Sequence, residues 1–331
     1  MHSTRNKLLH LLAQSEFISG TELGAQLGIS RSAIGKHIDA FKQLGLDVFS
    51  VRGKGYKLSE PLSLLSYDEI SDYVQAQLSH EKYRQIPQPL YLDVLNVVDS
   101  TNTYIKQNIA QLSQGASCIA EAQSAGRGRH GRQWISPFAS SIYLSMYWRF
   151  SGGYQTLSGL SLVVGLAVNR TLNHFGITDG QLKWPNDIYI NMQKIAGILI
   201  EVEGSVGDEV HCVIGLGLNV NLPDDITGIE QPFTDLQSHS QQAMINRNHL
   251  TAQLILDIQH ALIIFEKSGL SSFISEWESL NVFANKDITL IIGQQSVQGV
   301  CMGIDPQGAL RVMVDGEIKT YHGGEISVRA R

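Results

Sequence analysis

Residues 126–134 read GRGRHGRQW, and this stretch decides which of the folds associated with glycine-rich loops the chain can adopt. It contains G-x-G-x-x-G, but the following QWISP starts no helix and no acidic residue lies about 20 positions further on, so a dinucleotide-binding fold is not predicted. The last glycine precedes Arg-Gln instead of Lys-Ser/Thr, which excludes a Walker A loop. Glycines allow close approach of a ligand and arginines offer paired donors, so we predict an anion-binding loop. Trp134 favours a closing lid over the alternative, a solvated basic loop.

The segments on both sides of this loop alternate between strand and helix patterns, which predicts an α/β domain. Residues 141–149 place apolar and polar side chains on alternate sides, the pattern of a half-buried strand. Residues 159–172 are apolar nearly all round, as in a buried helix. Further strands are predicted over 195–202 and 210–218, and further helices over 67–78, 103–109 and 247–267.

The C-terminal part of the chain has a different pattern. Short apolar segments at 288–292, 298–304, 310–314 and 318–321 are separated by turn residues. This spacing predicts a small β-barrel. We therefore divide the chain into residues 1–60, a linker at 61–66 that contains Pro61, a central domain at 67–280 and a C-terminal domain at 281–331.

Residues 1–60 carry eight lysines and arginines against five acidic residues, a net charge of +3 in a chain whose total is −6. Leucines between positions 8 and 12 mark a first amphipathic helix. Ser19 begins a capping box before a second helix that ends at Leu27, and Ser30 is a candidate N-cap for a third helix over 31–44. A tight turn joins the second helix to the third, which is the helix-turn-helix arrangement.

A hairpin is predicted after the third helix. Segments 46–52 and 56–58 flank RGKG, whose two cations would form the tip of the wing of a winged helix. The residues expected to contact DNA are Ser30, Arg31, Ser32, Lys36, His37, Arg52 and Lys54. Gly35 lies inside the third helix, where glycine is unfavourable by roughly 0.5–1 kcal/mol relative to alanine. The alternative is a small three-helix protein-interaction module, but the wing and the cations favour DNA binding.

The composition excludes several protein classes. Of the 331 residues, 43% are hydrophobic and 17% are charged, which is typical of a globular chain. Three cysteines are too few for a disulfide scaffold or a four-cysteine zinc site, and they fit a reducing compartment. No secretory signal pattern opens the sequence, and the longest apolar run, 159–168, is shorter than the about 20 residues that span a bilayer. We therefore expect a cytoplasmic protein without a membrane partner.

The loop and four further segments resemble, in order, the motifs of one enzyme family. Residues 126–134 match the G-R-G-R-x-G-R-x-W loop of biotin–protein ligases, and the other matches are DSTN at 99–102, KWPND at 183–187, KIAGILIE at 194–201 and GLGLNVN at 215–221. GGEIS at 323–327 fits that family's small C-terminal domain. With its predicted winged helix, the chain resembles the bifunctional bacterial type, a biotin ligase and biotin-operon repressor in one polypeptide. The resemblance implies an N-terminal winged helix-turn-helix, a central mixed α/β ligase domain and a C-terminal SH3-like β-barrel. Gly35 is a departure, and it bears on the operator sequence rather than the chemistry.

The resemblance implies a two-step ligation. Biotin reacts with ATP and Mg²⁺ to give biotinyl-5′-AMP and pyrophosphate, and a lysine of a biotin carboxyl carrier protein then attacks the mixed anhydride. This chemistry requires no enzyme nucleophile. Because two anions meet in the first step, concentrated positive charge is needed. The residues that the resemblance implies for this catalytic role are Lys194, Arg129 and Lys183.

The resemblance also implies the binding residues. Biotin is expected to contact Ser100, Thr101, Asn102, Gln123, Arg127, Gly128, Arg129, Lys194 and Gly197, and the adenylate is expected to contact Arg129, Arg132, Trp134, Asp187 and Asn219. Hydroxyls and an amide suit the ureido ring, an indole face suits adenine, and the Asp187 carboxylate suits Mg²⁺. Taken alone, Ser100 or Thr101 could instead be an N-cap, Asp187 could cap a turn, and Lys194 could be a surface lysine.

Three partners follow from the same resemblance: the carrier protein, operator DNA of the biotin genes, and a second copy of the chain when biotinyl-AMP is bound. A palindromic operator would be read by two winged helices of a dimer. Two other functions stay open at this point. One is a ligase whose head no longer binds DNA, and the other is a biotin-sensing repressor without catalysis. Lipoate–protein ligases share the core fold, but the arginine loop together with the DNA-binding head argues against them.

Overall fold

The computed structural model describes residues 4–14, 16–204, 209–323 and 326–330. Its N-terminal head contains α1 (Thr4–Leu12), α2 (Gly20–Leu27), α3 (Arg31–Gln43), β1 (Val48–Val51) and β2 (Gly55–Leu58). The hydroxyl oxygen of Ser19 accepts a hydrogen bond from the backbone of Glu22 at 3.1 Å, and that of Ser30 accepts one from Ala33 at 3.2 Å. The helix-turn-helix and the hairpin are therefore confirmed, and local capping explains where α2 and α3 begin.

The head encloses its own core and also packs against the next domain. Its buried side chains include Leu8, Leu9, Leu12, Leu23, Ile34, Ile38 and Phe41. The same cluster contains Ala122 and Phe138 of the central domain. A hydrogen bond of 2.6 Å joins the side chains of Asn96 and Asn6 across the contact. The third helix continues through Gly35 without interruption.

The central domain is a mixed seven-stranded sheet covered by helices. Its strands are β3 (Leu92–Val98), β4 (Ser117–Gln123), β5 (Ser141–Ser151), β6 (Gln181–Lys183), β7 (Asp187–Ile190), β8 (Gln193–Glu203) and β9 (Glu209–Asn219), in the spatial order β3-β4-β5-β9-β8-β7-β6. Only the β3–β4 pair is parallel among these described pairings. The helices are α4 (Tyr67–Gln77), α5 (Thr101–Asn108), α6 (Leu160–His174), α7 (Arg247–Ser268) and α8 (Ile274–Leu280). Within the described ranges, none of the helices combines the length and the apolar character that crossing a membrane requires.

The prediction that residues 141–149 form a half-buried strand is wrong, because β5 is buried on both faces. One face, which includes Ile142 and Trp148, joins the core formed with α6 and α7. The opposite face is covered by α5, where Tyr147 packs in a second cluster with Ile105. The polar hydroxyl of tyrosine suggested a solvent-facing position, but tyrosine can be buried when that hydroxyl makes a hydrogen bond. The Tyr147 hydroxyl lies 2.7 Å from Nδ1 of His211.

The C-terminal domain is an antiparallel sheet. Its strands are β10 (Asp287–Ile292), β11 (Gln295–Ile304), β12 (Leu310–Val314), β13 (Glu317–Tyr321) and β14 (Ile326–Ala330), in the order β13-β12-β11-β10-β14. The pairing confirms a small β domain, and β13 and β14 lie at its two edges, so closure into the predicted barrel is not confirmed. Its buried residues, such as Leu290 and Val328, belong to the core of the central domain. Two residues of the predicted GGEIS motif, Gly324 and Glu325, lie outside the described residues.

Buried polar groups hold the linker between the head and the central domain. Arg247 donates from Nη1 to the carbonyl of Ser63 at 3.0 Å, and the Leu65 amide donates to Oε1 of Glu121 at 2.5 Å. The Asn248 carboxamide donates to the carbonyl of Leu64 at 3.1 Å. The linker is therefore fixed to the central domain rather than running through solvent. The exact domain boundaries stay a prediction.

Candidate functional site

A cavity of about 860 Å³ opens on the central domain beside the glycine-arginine loop. Every residue that the sequence assigned to catalysis, biotin or the adenylate contributes to its lining: Ser100, Thr101, Asn102, Gln123, Arg127, Gly128, Arg129, Arg132, Trp134, Lys183, Asp187, Lys194, Gly197 and Asn219. These residues come from separate strands, one helix and two loops. The fold therefore brings into one place the motifs that are scattered over about 120 positions of the sequence.

The loop that we call the arginine loop, residues 126–134, is folded back on itself. The Gly128 amide donates to the Arg132 carbonyl at 2.7 Å, and the Trp134 amide donates to the Gly126 carbonyl at 2.9 Å. A Cβ atom on Gly126 would lie 2.5 Å from the Trp134 carbonyl oxygen, so this position requires glycine. No helix opens behind the loop, which agrees with the exclusion of a dinucleotide fold.

The indole of Trp134 lies against two glycines that face each other on β8 and β9. Gly197 and Gly217 are paired in the sheet, and Cβ atoms there would approach the indole to 3.0 Å and 2.4 Å. The ammonium of Lys194 lies 5.3 Å from the centre of the indole ring. The missing side chains thus make a flat seat for the tryptophan at one side of the cavity. Gly217 belongs to the GLGLN run of the sequence, but its need for space was not predicted.

Another part of the cavity wall, around the start of α5, is a network of hydroxyls and amides. Oε1 of Gln123 accepts hydrogen bonds from the Thr101 amide at 2.9 Å and the Thr101 hydroxyl at 3.1 Å. The buried Ser145 hydroxyl lies 2.7 Å from Oγ1 of Thr101 and 2.6 Å from Oδ1 of Asn102. Ser100 is the N-cap residue of α5, but its hydroxyl makes no capping bond. The α5 start therefore presents polar side chains to the cavity rather than using them on the helix.

Several cations also line the cavity. Arg129 donates to Oδ1 of Asn186 at 2.9 Å, and burial lowers the pKa of its guanidinium. Lys183 donates to the Tyr189 hydroxyl at 2.9 Å, and burial likewise lowers the pKa of its ammonium. Burial lowers these pKa values because it disfavours the charged form of each side chain. A bound anion would compensate the buried positive charge, so the site suits an anionic ligand.

The Asp187 carboxylate pairs with a lysine in this structure. Its Oδ1 lies 2.7 Å from the Lys194 ammonium, and both side chains are largely buried. Within the part of the chain that the structure describes, no three His, Cys, Asp or Glu side chains are grouped so that they could hold a metal ion. The described side chains therefore contain no metal cage of their own. Because Mg²⁺ in nucleotide sites uses one or two carboxylates together with phosphate oxygens, the assignment of Asp187 to Mg²⁺ stays a prediction.

The predicted DNA-contacting residues lie on the head. Arg31, Ser32 and Lys36 are exposed on α3, His37 is half-buried, and Ser30 uses its hydroxyl as the N-cap. Arg52 and Lys54 are exposed at the tip of the β1–β2 hairpin. Phe17 had no signal in the sequence. It is 41% exposed, and the ammonium groups of Lys54 and Lys57 lie 5.8 and 5.9 Å from its ring centre.

Known proteins resemble the chain over nearly its full length. The bifunctional ligase/repressor BirA of Salmonella typhimurium is 44% identical over 326 residues, which cover 98% of this chain and 97% of that protein. BirA of Escherichia coli is 44% identical over 327 residues, with the same coverage. The chain belongs to the BirA family of bifunctional ligase/repressors. Family models agree: an HTH domain matches residues 4–57, the biotin/lipoate A/B protein ligase family matches 94–219, and a biotin protein ligase C-terminal domain matches 283–329.

Solved structures place the ligase part of this BirA-family chain beside known enzymes. The biotin protein ligase of Aquifex aeolicus in complex with biotin and ATP has a TM-score of 0.62 and 27% identity, and covers 73% of this chain and 99% of its own. The resemblance stated from the sequence is confirmed, and so is the interpretation as a ligase joined to a DNA-binding repressor. The two alternatives, a lost head function and a lost catalytic function, receive no support from relatives that carry both activities in their name.

Several residues of the BirA-family site had no signal in the sequence. Residues 228–233 form a second loop over the cavity, and Lys194 pairs with this loop at Phe233. Phe283, Val328 and Arg329 reach the cavity from the C-terminal domain. Arg329 contributes to lowering the pKa of Lys183. None of these positions lies in a recognisable motif, because only the packing of the C-terminal domain onto the sheet brings them to the site.

Proposed function

We propose that the cavity binds biotin and ATP together, forms biotinyl-5′-AMP, and transfers the biotinyl group to a lysine of a biotin carboxyl carrier protein. In the first step a biotin carboxylate oxygen attacks the α-phosphorus of ATP and pyrophosphate leaves. In the second step the lysine amine attacks the carbonyl carbon, AMP leaves, and the amine loses a proton. One observation carries the proposal. All the residues predicted for catalysis, for biotin binding and for adenylate binding line the same cavity.

The arrangement of charge supports the first step. Biotin's carboxylate and the triphosphate repel each other, and the cations Arg129, Arg132, Lys183 and Lys194 lie where both anions would have to meet. Because Arg129 and Lys183 are already desolvated, their interaction with an anion is stronger than in water. Asp187 in the cavity lining would hold Mg²⁺ together with the nucleotide, and the ion would supply further positive charge to the phosphates.

Two parts of the cavity wall suit the ureido ring and the adenine ring of biotinyl-5′-AMP. The donors and acceptors of Thr101 and Gln123 match the N–H and C=O groups of a ureido ring. At the other side, Trp134 supplies an aromatic face and Asn219 an amide, and these suit an adenine ring. The Asn219 side chain also donates to the Thr234 carbonyl at 3.0 Å, so its orientation is fixed.

Biotin-dependent exchange of radioactive pyrophosphate into ATP tests this function. We expect exchange with biotin and none with lipoate or without an acid. Arg129→Met should reduce kcat/KM by at least tenfold, because a charge-assisted contact to a reacting anion contributes at least about 1.4 kcal/mol. Unchanged exchange in Arg129→Met would contradict the assigned role, and exchange supported by lipoate in place of biotin would overturn the substrate.

We further propose that bound biotinyl-AMP orders the arginine loop and that the chain then forms a homodimer through sheet edges, so that two heads reach an operator. The exposed edge strand β3, where Val97 is 42% exposed, is available for such pairing. Carrier protein would compete for the same surface. Sedimentation with biotin and ATP tests the dimer, and a monomer at micromolar concentration would refute it. We also infer a cytoplasmic location, because a protein that acts on operator DNA has to reach that DNA.

A further inference from the structure

A chain of hydrogen bonds surrounds the polar end of the cavity, and both of its ends lie in the arginine loop. At one end the Trp134 carbonyl accepts from the Ser136 hydroxyl at 3.0 Å, and that hydroxyl accepts from Nε2 of Gln123 at 3.1 Å. Gln123 in turn bonds Thr101, as described above. The chain continues through Ser145 and Asn102 to a carboxylate on β8, Glu201, which also binds Arg127.

Glu201 is placed behind the cavity and not in its lining. Its Oε2 accepts a hydrogen bond from Nδ2 of Asn102 at 2.8 Å and another from Nη2 of Arg127 at 2.9 Å. Its other oxygen lies 3.5 Å from the Lys106 ammonium. The Glu201 side chain is 19% exposed, whereas Arg127 is 43% exposed. One carboxylate oxygen therefore joins Asn102 to the arginine loop. Asn102 lines the part of the cavity predicted to bind biotin, which we call the biotin slot.

The carboxylate also fixes which way the Asn102 amide points. A carboxylate accepts and does not donate, so only the Nδ2 end of Asn102 can face it, and Oδ1 must face Ser145. Gly215 leaves the room that this side chain occupies, because a Cβ there would lie 2.3 Å from Oδ1. A glutamine in place of Glu201 would accept or donate, so either amide orientation would be tolerated.

We propose that Glu201 is a positioning residue of the ligase, which couples closure of the arginine loop to the orientation of Asn102 in the biotin slot. The inference rests on the proposed assignment of this end of the cavity to biotin. When the loop is closed, Arg127 and Asn102 share the same oxygen, so the loop and the slot are ordered together. Loss of the charge releases the loop and leaves the slot amide free to rotate.

The chain offers a matched control in Glu203. This residue lies two positions further along β8, and it also pairs with Lys106, but neither Asn102 nor Arg127 is among its partners in the described structure. Glu203→Gln and Glu201→Gln remove the same charge from the same strand. A difference between the two variants therefore reports the contacts to the slot and the loop, and not the charge at Lys106.

The experiment measures biotin-dependent pyrophosphate exchange and tryptic cleavage of the arginine loop in full-length wild type and both variants. For Glu201→Gln we expect KM for biotin to rise about tenfold with kcat changed less than twofold, and ligand protection of the loop against trypsin to be lost. Glu203→Gln should behave as wild type in both assays. Arg127→Gln should raise KM similarly, and the double variant with Glu201→Gln should show no further increase.

Two results would overturn the inference. The first is a Glu201→Gln variant that is indistinguishable from Glu203→Gln. The second is a fall in kcat at unchanged KM, which would place Glu201 in the chemistry or in general stability. If Glu201→Gln fails to fold, Arg127→Gln breaks the same contact from an exposed side chain, and normal loop protection in that variant would equally refute the proposal. Wild-type protein without any biotin-dependent exchange would instead contradict the proposed function.

Discussion

Replacing Arg247 with methionine should strongly destabilise the protein. The Arg247 and Glu121 side chains are 4% and 2% exposed, and Nη2 of the arginine lies 2.7 Å from Oε2 of the glutamate. The same guanidinium donates to the carbonyls of Ser63 and Ser141, at 3.0 and 2.9 Å. Methionine replaces the aliphatic part of the side chain and removes the guanidinium with all three bonds. Among the residues that the structure describes, the Leu65 amide would then be the donor that still reaches the buried Glu121 carboxylate.

The expected loss follows from that geometry. Removing one partner of a buried ion pair costs about 3–5 kcal/mol, because an uncompensated charge stays behind. A native domain is stable by only about 5–15 kcal/mol, so the loss is a large fraction of the total. For the ligase domain, which is a few hundred residues long, it corresponds to a fall in melting temperature on the order of 10 °C.

Urea and thermal unfolding of full-length Arg247→Met measure this effect. Arg149→Met is the matched control, because its pair with Glu209 spans 3.4 Å and both side chains are about half exposed, at 51% and 49%. We expect the control to change stability by less than about 1 kcal/mol. Equal, small losses in the two variants would refute the reasoning, because burial would then not distinguish the two pairs.

Three further predictions concern other parts of the chain. Gly35→Ala should stabilise the head by about 0.5–1 kcal/mol in calorimetry, because a Cβ there would meet nothing closer than a hydroxyl at 3.9 Å. Gly24→Ala should destabilise the head, because its Cβ would lie 2.7 Å from a backbone oxygen. Changes of the opposite sign in the two variants would contradict this reasoning. Gly217→Ala should displace Trp134 and weaken biotinyl-AMP binding by roughly 5- to 150-fold, because overpacking costs about 1–3 kcal/mol. An unchanged dissociation rate with unchanged tryptophan fluorescence would show that the glycine seat of Trp134 does not matter for binding. Lys54→Ala should reduce the salt dependence of operator binding by about one counterion, and an unchanged slope would place the wing away from the phosphates.

The head could be predicted from the sequence because its signals are local. Ser19 and Ser30 cap the helices that follow them by accepting from the amide three residues further on, and Gly28 takes the positive φ of 67° that a turn between helices needs. The second buried face of β5 could not be predicted, since Tyr147 is polar enough to suggest solvent. Its burial depends on α5 and on a histidine of the neighbouring strand.

The site was predicted where its residues form contiguous motifs and missed where tertiary structure supplies them. The arginine loop and KWPND are runs whose spacing is readable, and each of their predicted residues lines the cavity. Arg329 lies in a different domain. Glu201 ends the KIAGILIE motif, but its role depends on contacts to Asn102 and Arg127 that the motif does not show. Neither role follows from the spacing of residues in the sequence, because both depend on how separate elements pack. Phe17 was missed because a single exposed aromatic has no pattern.

The central claim is that one site makes the adenylate and that the adenylate switches on DNA binding by the head. The most direct test is a mobility-shift titration on DNA upstream of the host's biotin-synthesis genes, with pyrophosphate exchange measured on the same sample. The account predicts a shift that requires both biotin and ATP. A shift of equal affinity without either ligand, or active exchange without any shift, would contradict it.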